Sequence, residues 1–110
     1  MTDATLMKTV MVLHNNYCGV ENAQPIERIV DDLVRNGVVT SRRHFQLRMK
    51  PALLDEGYVV GACSAGMFLC CEASDYGQAL HWYQVRIDAE QRAMGKIIDA
   101  LVKFSPIEHA

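Results

Sequence analysis

From Thr40 to Lys50 the chain carries Arg42, Arg43, Arg48 and Lys50 with no acid among them, a local charge of +4. The rest holds 7 basic against 13 acidic residues, or −6, so the formal net charge of −2 conceals a segregated distribution. A phosphate backbone responds to such a strip rather than to the average, because each neutralised phosphate releases condensed counterions. The residue types also suit base reading. Arginine can bridge guanine O6 and N7, Gln46 can pair with adenine N6 and N7, and lysine mostly meets phosphate. On an ideal helix starting at Ser41, the side chains of Arg42, Arg43, Gln46 and Lys50 fall within an arc of about 100°. Phe45, Met49 and Ala52 lie on the other side. Ser41 would cap that helix and could bond a phosphate, with His44 and Arg48 flanking it near the backbone. The same charges would equally make a solvated face that keeps the domain soluble.

Other reactive residue types are present but poorly spaced. Cys18, Cys63, Cys70 and Cys71 form no Cys-x2-4-Cys knuckle. A composite metal site with His14, His44 or His81 lacks a spacing signal, so no metal and no cofactor are expected. Nor does the N-terminus show the basic region and apolar run of a secretory signal, which leaves disulfides without an oxidising compartment. Buried free thiols are the expectation, and with them a cytoplasmic protein. Ser64, His44, His81 and Asp75 offer no nucleophile beside a base, and no Gly-x-Ser-x-Gly turn, phosphate loop or dinucleotide fingerprint occurs. An enzyme is not expected.

The elements that must position the basic strip follow from periodicity. Leu6, Met7, Val10 and Leu13 predict a first helix from Ala4 to about Asn15, broken at Asn15, Asn16 and Gly19. Pro25 opens a second, in which Ile26, Ile29, Val30, Leu33 and Val34 recur at i, i+3, i+4, i+7 and i+8 before Asn36-Gly37 ends it. A third, capped by Ser41 or Thr40, runs to Glu56 and closes at Gly57, with a kink or a short break at Pro51. Tyr58 to Cys63 and Met67 to Cys71 are β-prone runs around Ser64-Ala65-Gly66, a hairpin. A long helix from Asp75 to about Phe104, capped by Asp75 or Ser74, would end at Ser105-Pro106. The fold class is therefore mainly α with a small β-hairpin and a long C-terminal helix.

This order, with the Gly37 turn, Ser41-Arg42-Arg43, Leu-Leu-Asp-Glu-Gly at 53–57 and Ser-Ala-Gly-Met-Phe-Leu at 64–69, resembles the winged helix-turn-helix domains of small bacterial and phage-encoded proteins. The resemblance is clear over about half the chain. It implies binding to double-stranded DNA, in transcription or in replication initiation, with helix 41–56 in the major groove. It also implies a wing whose tip is Ser64, Ala65 and Gly66. Many wings carry Arg or Lys there, and this tip carries neither.

Leu80, Tyr83, Ile87, Met94, Ile97, Leu101 and Phe104 follow strict 3-4 heptad spacing, with Glu90 the one polar residue in the series. Such a stripe makes a coiled-coil seam between two copies, or packs back onto its own domain. The expected organisation is a winged domain over residues 1–72 and a dimerisation helix over 73–110. A chain of 110 residues suits one domain, and none of its apolar runs approaches the ~20 residues a membrane helix needs. The competing expectation is a protein–protein adaptor that keeps the winged scaffold without DNA binding.

Overall fold

Thr2 caps helix α1 (Asp3–Asn16), its Oγ1 accepting the Thr5 N–H at 3.2 Å. The structure is a computed structural model, and residues 2–104 are described. Leu6, Val10 and Leu13 are buried on one face, as their spacing predicts, whereas Met7 is exposed. Thr9 shares the buried face because its hydroxyl donates to the Thr5 carbonyl at 2.8 Å and leaves no unpaired polar atom.

Helix α2 (Ile26–Arg35) follows Pro25, whose missing N–H costs nothing at that end. Its C-terminus closes with two bonds: Gly37 N–H donates to the Val34 carbonyl (2.9 Å) and Val38 N–H to the Leu33 carbonyl (3.1 Å). This is the 5→2 and 6→1 pattern of a Schellman cap, with Gly37 at φ +72°. Val38 and Leu33 then meet in the core, which fixes the direction in which the chain leaves the helix. Ile29, Val30 and Leu33 are buried; Val34 is exposed.

The third helical run differs from the expected kink or break. It comprises α3 (Arg42–His44), a π-helical turn (Phe45–Met49) and α4 (Lys50–Asp55), consecutive and uninterrupted. Lys50 N–H donates to the Phe45 carbonyl, five residues back. A regular α-helix would press the Pro51 ring against the carbonyl of Leu47 and leave that oxygen without its donor. One wider turn just before Pro51 accommodates the ring without breaking the run. Phe45, Met49 and Leu53 stay on the inner face, all fully buried. Gly57, at φ +89°, repeats the Schellman closure, with Gly57 N–H donating to Leu54 O and Tyr58 N–H to Leu53 O.

Strands β1 (Val60–Cys63) and β2 (Gly66–Leu69) pair antiparallel, Val60 opposite Leu69 and Cys63 opposite Gly66. The connecting link is therefore Ser64-Ala65 alone. Gly66, expected at the tip, lies in β2. Its φ is +136° and a Cβ there would sit 2.1 Å from the Gln24 carbonyl oxygen, so only glycine fits. The other edge of β2 is covered by the link between α1 and α2. Leu69 N–H donates to Tyr17 O, Gly19 N–H to Leu69 O, and Gln24 and Met67 exchange both backbone bonds at 3.0 and 2.8 Å. A two-stranded ribbon is marginal in water, and this third partner occupies its exposed edge.

Helix α5 (Ala73–Phe104) starts close to the expected place, but Ser74 does not cap it. Asp75 reaches back from the third helical position, accepting Cys71 N–H and Glu72 N–H at 2.9 Å each and Val20 N–H at 3.1 Å. It is 3% exposed. These backbone donors, Cys71 first, hold its carboxyl below the ordinary carboxylate value against the opposing effect of burial. Ala79, one turn on, is buried against Phe68, and a Cβ on Gly61 would collide with both. Contacts divide the chain into a unit ending at Leu80 and a second starting at His81. The expected stop at Ser105-Pro106 lies outside the described residues.

The cysteines require a correction. Cys18 and Cys71, 53 residues apart, form a disulfide, with their Cα atoms 6.0 Å apart. The pairing of Tyr17–Gly19 with Leu69 sets their backbones at that distance, a proximity no local spacing announces. Cys70 is a buried free thiol, as expected, and burial pushes its pKa up to about 11. Cys63 is half-buried and free.

Candidate nucleic-acid interface

Ser41 is the N-cap of the third run, as expected, with its Oγ accepting His44 N–H at 3.0 Å. His44 completes a reciprocal arrangement: its Nδ1 accepts Thr40 N–H at 3.1 Å. This has the logic of a capping box with histidine in the place of glutamate. His44 therefore holds the turn, and one of its ring nitrogens is occupied by the backbone.

The four residues of the expected arc, Arg42, Arg43, Gln46 and Lys50, are not equally exposed. Arg42, Arg43 and Arg48 are exposed, while Gln46 and Lys50 are half-buried. Arg42 pairs through Nη1 with the Glu27 carboxylate of α2 at 2.9 Å, both side chains well exposed. An exposed pair of this kind is worth about 0–1 kcal/mol and exchanges readily for a phosphate. Arg48, expected to flank the arc with His44, lines with it a surface depression of about 520 Å³ beside Thr2, Thr5, Val38 and Ala52. One wider turn shifts the phase of everything after it, so the 100°-per-residue projection holds for Arg42 and Arg43 and fails by Lys50.

The outer face also carries apolar residues, which the charge pattern of the strip does not announce. Leu47 is 57% exposed and Leu54 59% exposed, with exposed Pro51 between them. Their spacing would have placed Leu47 and Leu54 outside, had the phase been set by Phe45, Met49 and Leu53. The outer face thus combines guanidinium groups near its start with an apolar strip towards its end. At the hairpin tip Ser64 and Ala65 are exposed, and Gly66 is half-buried against Gln24.

A second polar centre fixes the helices behind this face. Tyr17 OH donates to Asp32, whose other oxygen accepts from Arg35. Tyr17 is 3% exposed, and burial first, then the Asp32 carboxylate, raises its pKa to about 12. The bond from Tyr17 holds Asp32 below its ordinary value. The end of α1 is thereby tied to the middle of α2.

On α5 the seam residues Leu80, Tyr83, Ile87, Met94, Ile97, Leu101 and Phe104 are all exposed, Leu80 to 70% and Ile97 to 68%. Ile98 and Val102 extend the apolar surface beside them. Tyr83, Arg86, Ile87, Glu90, Gln91 and Met94 line a shallow depression along this stripe. Among the described residues no helix is long and apolar enough to cross a membrane.

No known protein family matches the chain, and no curated protein or solved structure does so either.

Proposed function

We propose that this chain is a winged helix-turn-helix protein that binds double-stranded DNA, presents the third helical run to the major groove, and acts as a homodimer through α5. The observation that carries the reading is the capped, acid-free start of the third run, with Arg42 and Arg43 exposed on an element whose inner face is anchored by Phe45, Met49 and Leu53. The order of helices and hairpin supports the winged scaffold, as does the strand-like bridge from Gln24 to Met67 ahead of α2. A regulator of transcription or replication, of bacterial or phage origin, is the role such scaffolds commonly serve.

The test is a salt-titrated polarisation assay on duplex DNA. Affinity should fall with a log–log salt slope of about −0.9 for each phosphate neutralised. Arg42→Ala/Arg43→Ala should weaken binding by about 1–3 kcal/mol for each lost base contact and flatten the slope. Unchanged affinity in the double variant overturns the interface.

One observation favours a second reading, a protein–protein adaptor on the same scaffold. Leu47, Pro51 and Leu54 make the outer face more apolar than a groove-reading helix requires, and the Ser64-Ala65 tip is uncharged. Absence of duplex binding at about 50 mM salt, where backbone contacts are strong, selects the adaptor.

A further inference from the structure

His14 lies in the last turn of α1, Cys18 two residues past its end, and Cys71 just before α5. Imidazole nitrogen and both sulfurs lie within 4.8 Å of one another. His14 and Cys71 are exposed and Cys18 is half-buried, so a solvated ion can reach all three. We propose that the dithiol form of this chain binds one zinc-class divalent cation through His14, Cys18 and Cys71, and that the Cys18–Cys71 disulfide is the metal-free form of the same site.

The ligand set is chemically selective. Two thiolates and one imidazole suit borderline-soft Zn2+ and its analogue Co2+, and are poor partners for Mg2+ or Ca2+, which take oxygen. Tetrahedral zinc would hold the two sulfurs about 3.7 Å apart, given Zn–S bonds of about 2.3 Å. That separation is compatible with Cα atoms 6.0 Å apart. Three protein ligands leave the fourth position to water.

Conversion between the forms balances. A small dithiol attacks the disulfide and is itself oxidised to its cyclic disulfide. The two electrons reduce the Cys18–Cys71 bond, and two protons end on the two sulfurs. Binding then forms two metal–sulfur bonds and one metal–nitrogen bond, and releases the two thiol protons to solvent. The site follows from the backbone pairing of Tyr17–Gly19 with Leu69, and stands independently of DNA binding.

The experiment uses the full chain, reduced anaerobically with a phosphine and titrated with Co2+. The expected result is thiolate-to-cobalt charge transfer and tetrahedral ligand-field absorption, saturating at one Co2+ per chain and displaced by Zn2+. The air-oxidised chain should show none of it. His14→Ala alters an exposed side chain outside the core, so it tests the site without a folding confound. It should weaken Co2+ binding at least tenfold and change the ligand-field spectrum. Cys63→Ser/Cys70→Ser should bind as the parent does. Overturning results are no thiolate-to-cobalt band in the reduced parent, half a Co2+ per chain, unaltered binding by His14→Ala, or loss of binding in the Cys63/Cys70 variant at retained helicity.

Discussion

Asp75 shows how much one side chain can hold. Its carboxylate accepts three backbone N–H bonds from two separate segments, Val20 on one side and Cys71 and Glu72 on the other. The sign of its pH effect follows from the lowered pKa. The charged form is favoured in the fold, so its contribution is complete above the unfolded carboxylate value and is lost as pH falls through the folded one. Acid unfolding of the parent should therefore steepen below the ordinary carboxylate range. Asp75→Asn should flatten that limb while costing about 1–3 kcal/mol at neutral pH, because the amide has one acceptor oxygen where the carboxylate uses two, and its NH2 must face a backbone N–H. Denaturant melts at neutral and acid pH measure both. Equal slopes in the two proteins would show that Asp75 is not the titrating anchor. Gly66 is the backbone counterpart. Gly66→Ala places a methyl 2.1 Å from the Gln24 oxygen in a conformation side chains rarely adopt, and should cost more than about 2 kcal/mol. Gly37→Ala, which meets no atom within 4 Å, should cost only the left-handed backbone penalty of about 1 kcal/mol.

At the scale of elements, legibility in the sequence tracks how local the cause is. Helix α2 is readable because its apolar period, Pro25 and the Asn36-Gly37 stop all lie within a dozen residues. The Ser41 cap and the hairpin are readable for the same reason. Pro51 was legible as a disturbance, but its form was not: a proline announces a missing donor, and whether the chain kinks or widens by one turn depends on keeping Phe45, Met49 and Leu53 in one core. That distinction also bears on the candidate interface, since the wider turn moves Lys50 out of phase with Arg42 and Arg43, whereas Arg48 lies off their arc on a regular helix too. Pro51→Ala tests it. If the π turn absorbs the proline, the change should shift stability by less than about 1 kcal/mol, rather than gaining the ~3 kcal/mol expected on removing proline from a helix interior. What could not be read at all were pairings across distance: Cys18 with Cys71, Gln24 with Met67, and Tyr17 with Asp32.

For the whole molecule, two long-range features set assembly and stability. The disulfide closes a loop between residues 53 apart, which in the chain-entropy picture stabilises by about 4 kcal/mol at most. Reduction should thus lower the melting temperature of the metal-free protein, and Cys18→Ser should remove the difference between reduced and oxidised samples. The second feature is α5. Only its first turns, through Asp75 and Ala79, are buried, so a truncation at Glu72 would remove core residues along with the seam. Point changes on exposed positions separate the two. A helical stretch whose apolar stripe is exposed over six turns gains little from packing within its own chain, and isolated helices in water are marginal. If two copies pair along the stripe, Ile87→Glu/Ile97→Glu places like charges at facing seam positions and should convert a dimer to a monomer by sedimentation equilibrium. Helical ellipticity should fall with it, while the melting of the first unit stays within about 0.5 kcal/mol, because both residues are exposed and belong to the second unit. DNA affinity should drop further than either half-site contact explains, since the two reading helices would no longer be tethered. A parent protein that sediments as a monomer at high concentration would remove the seam, and with it the dimeric part of the proposed function.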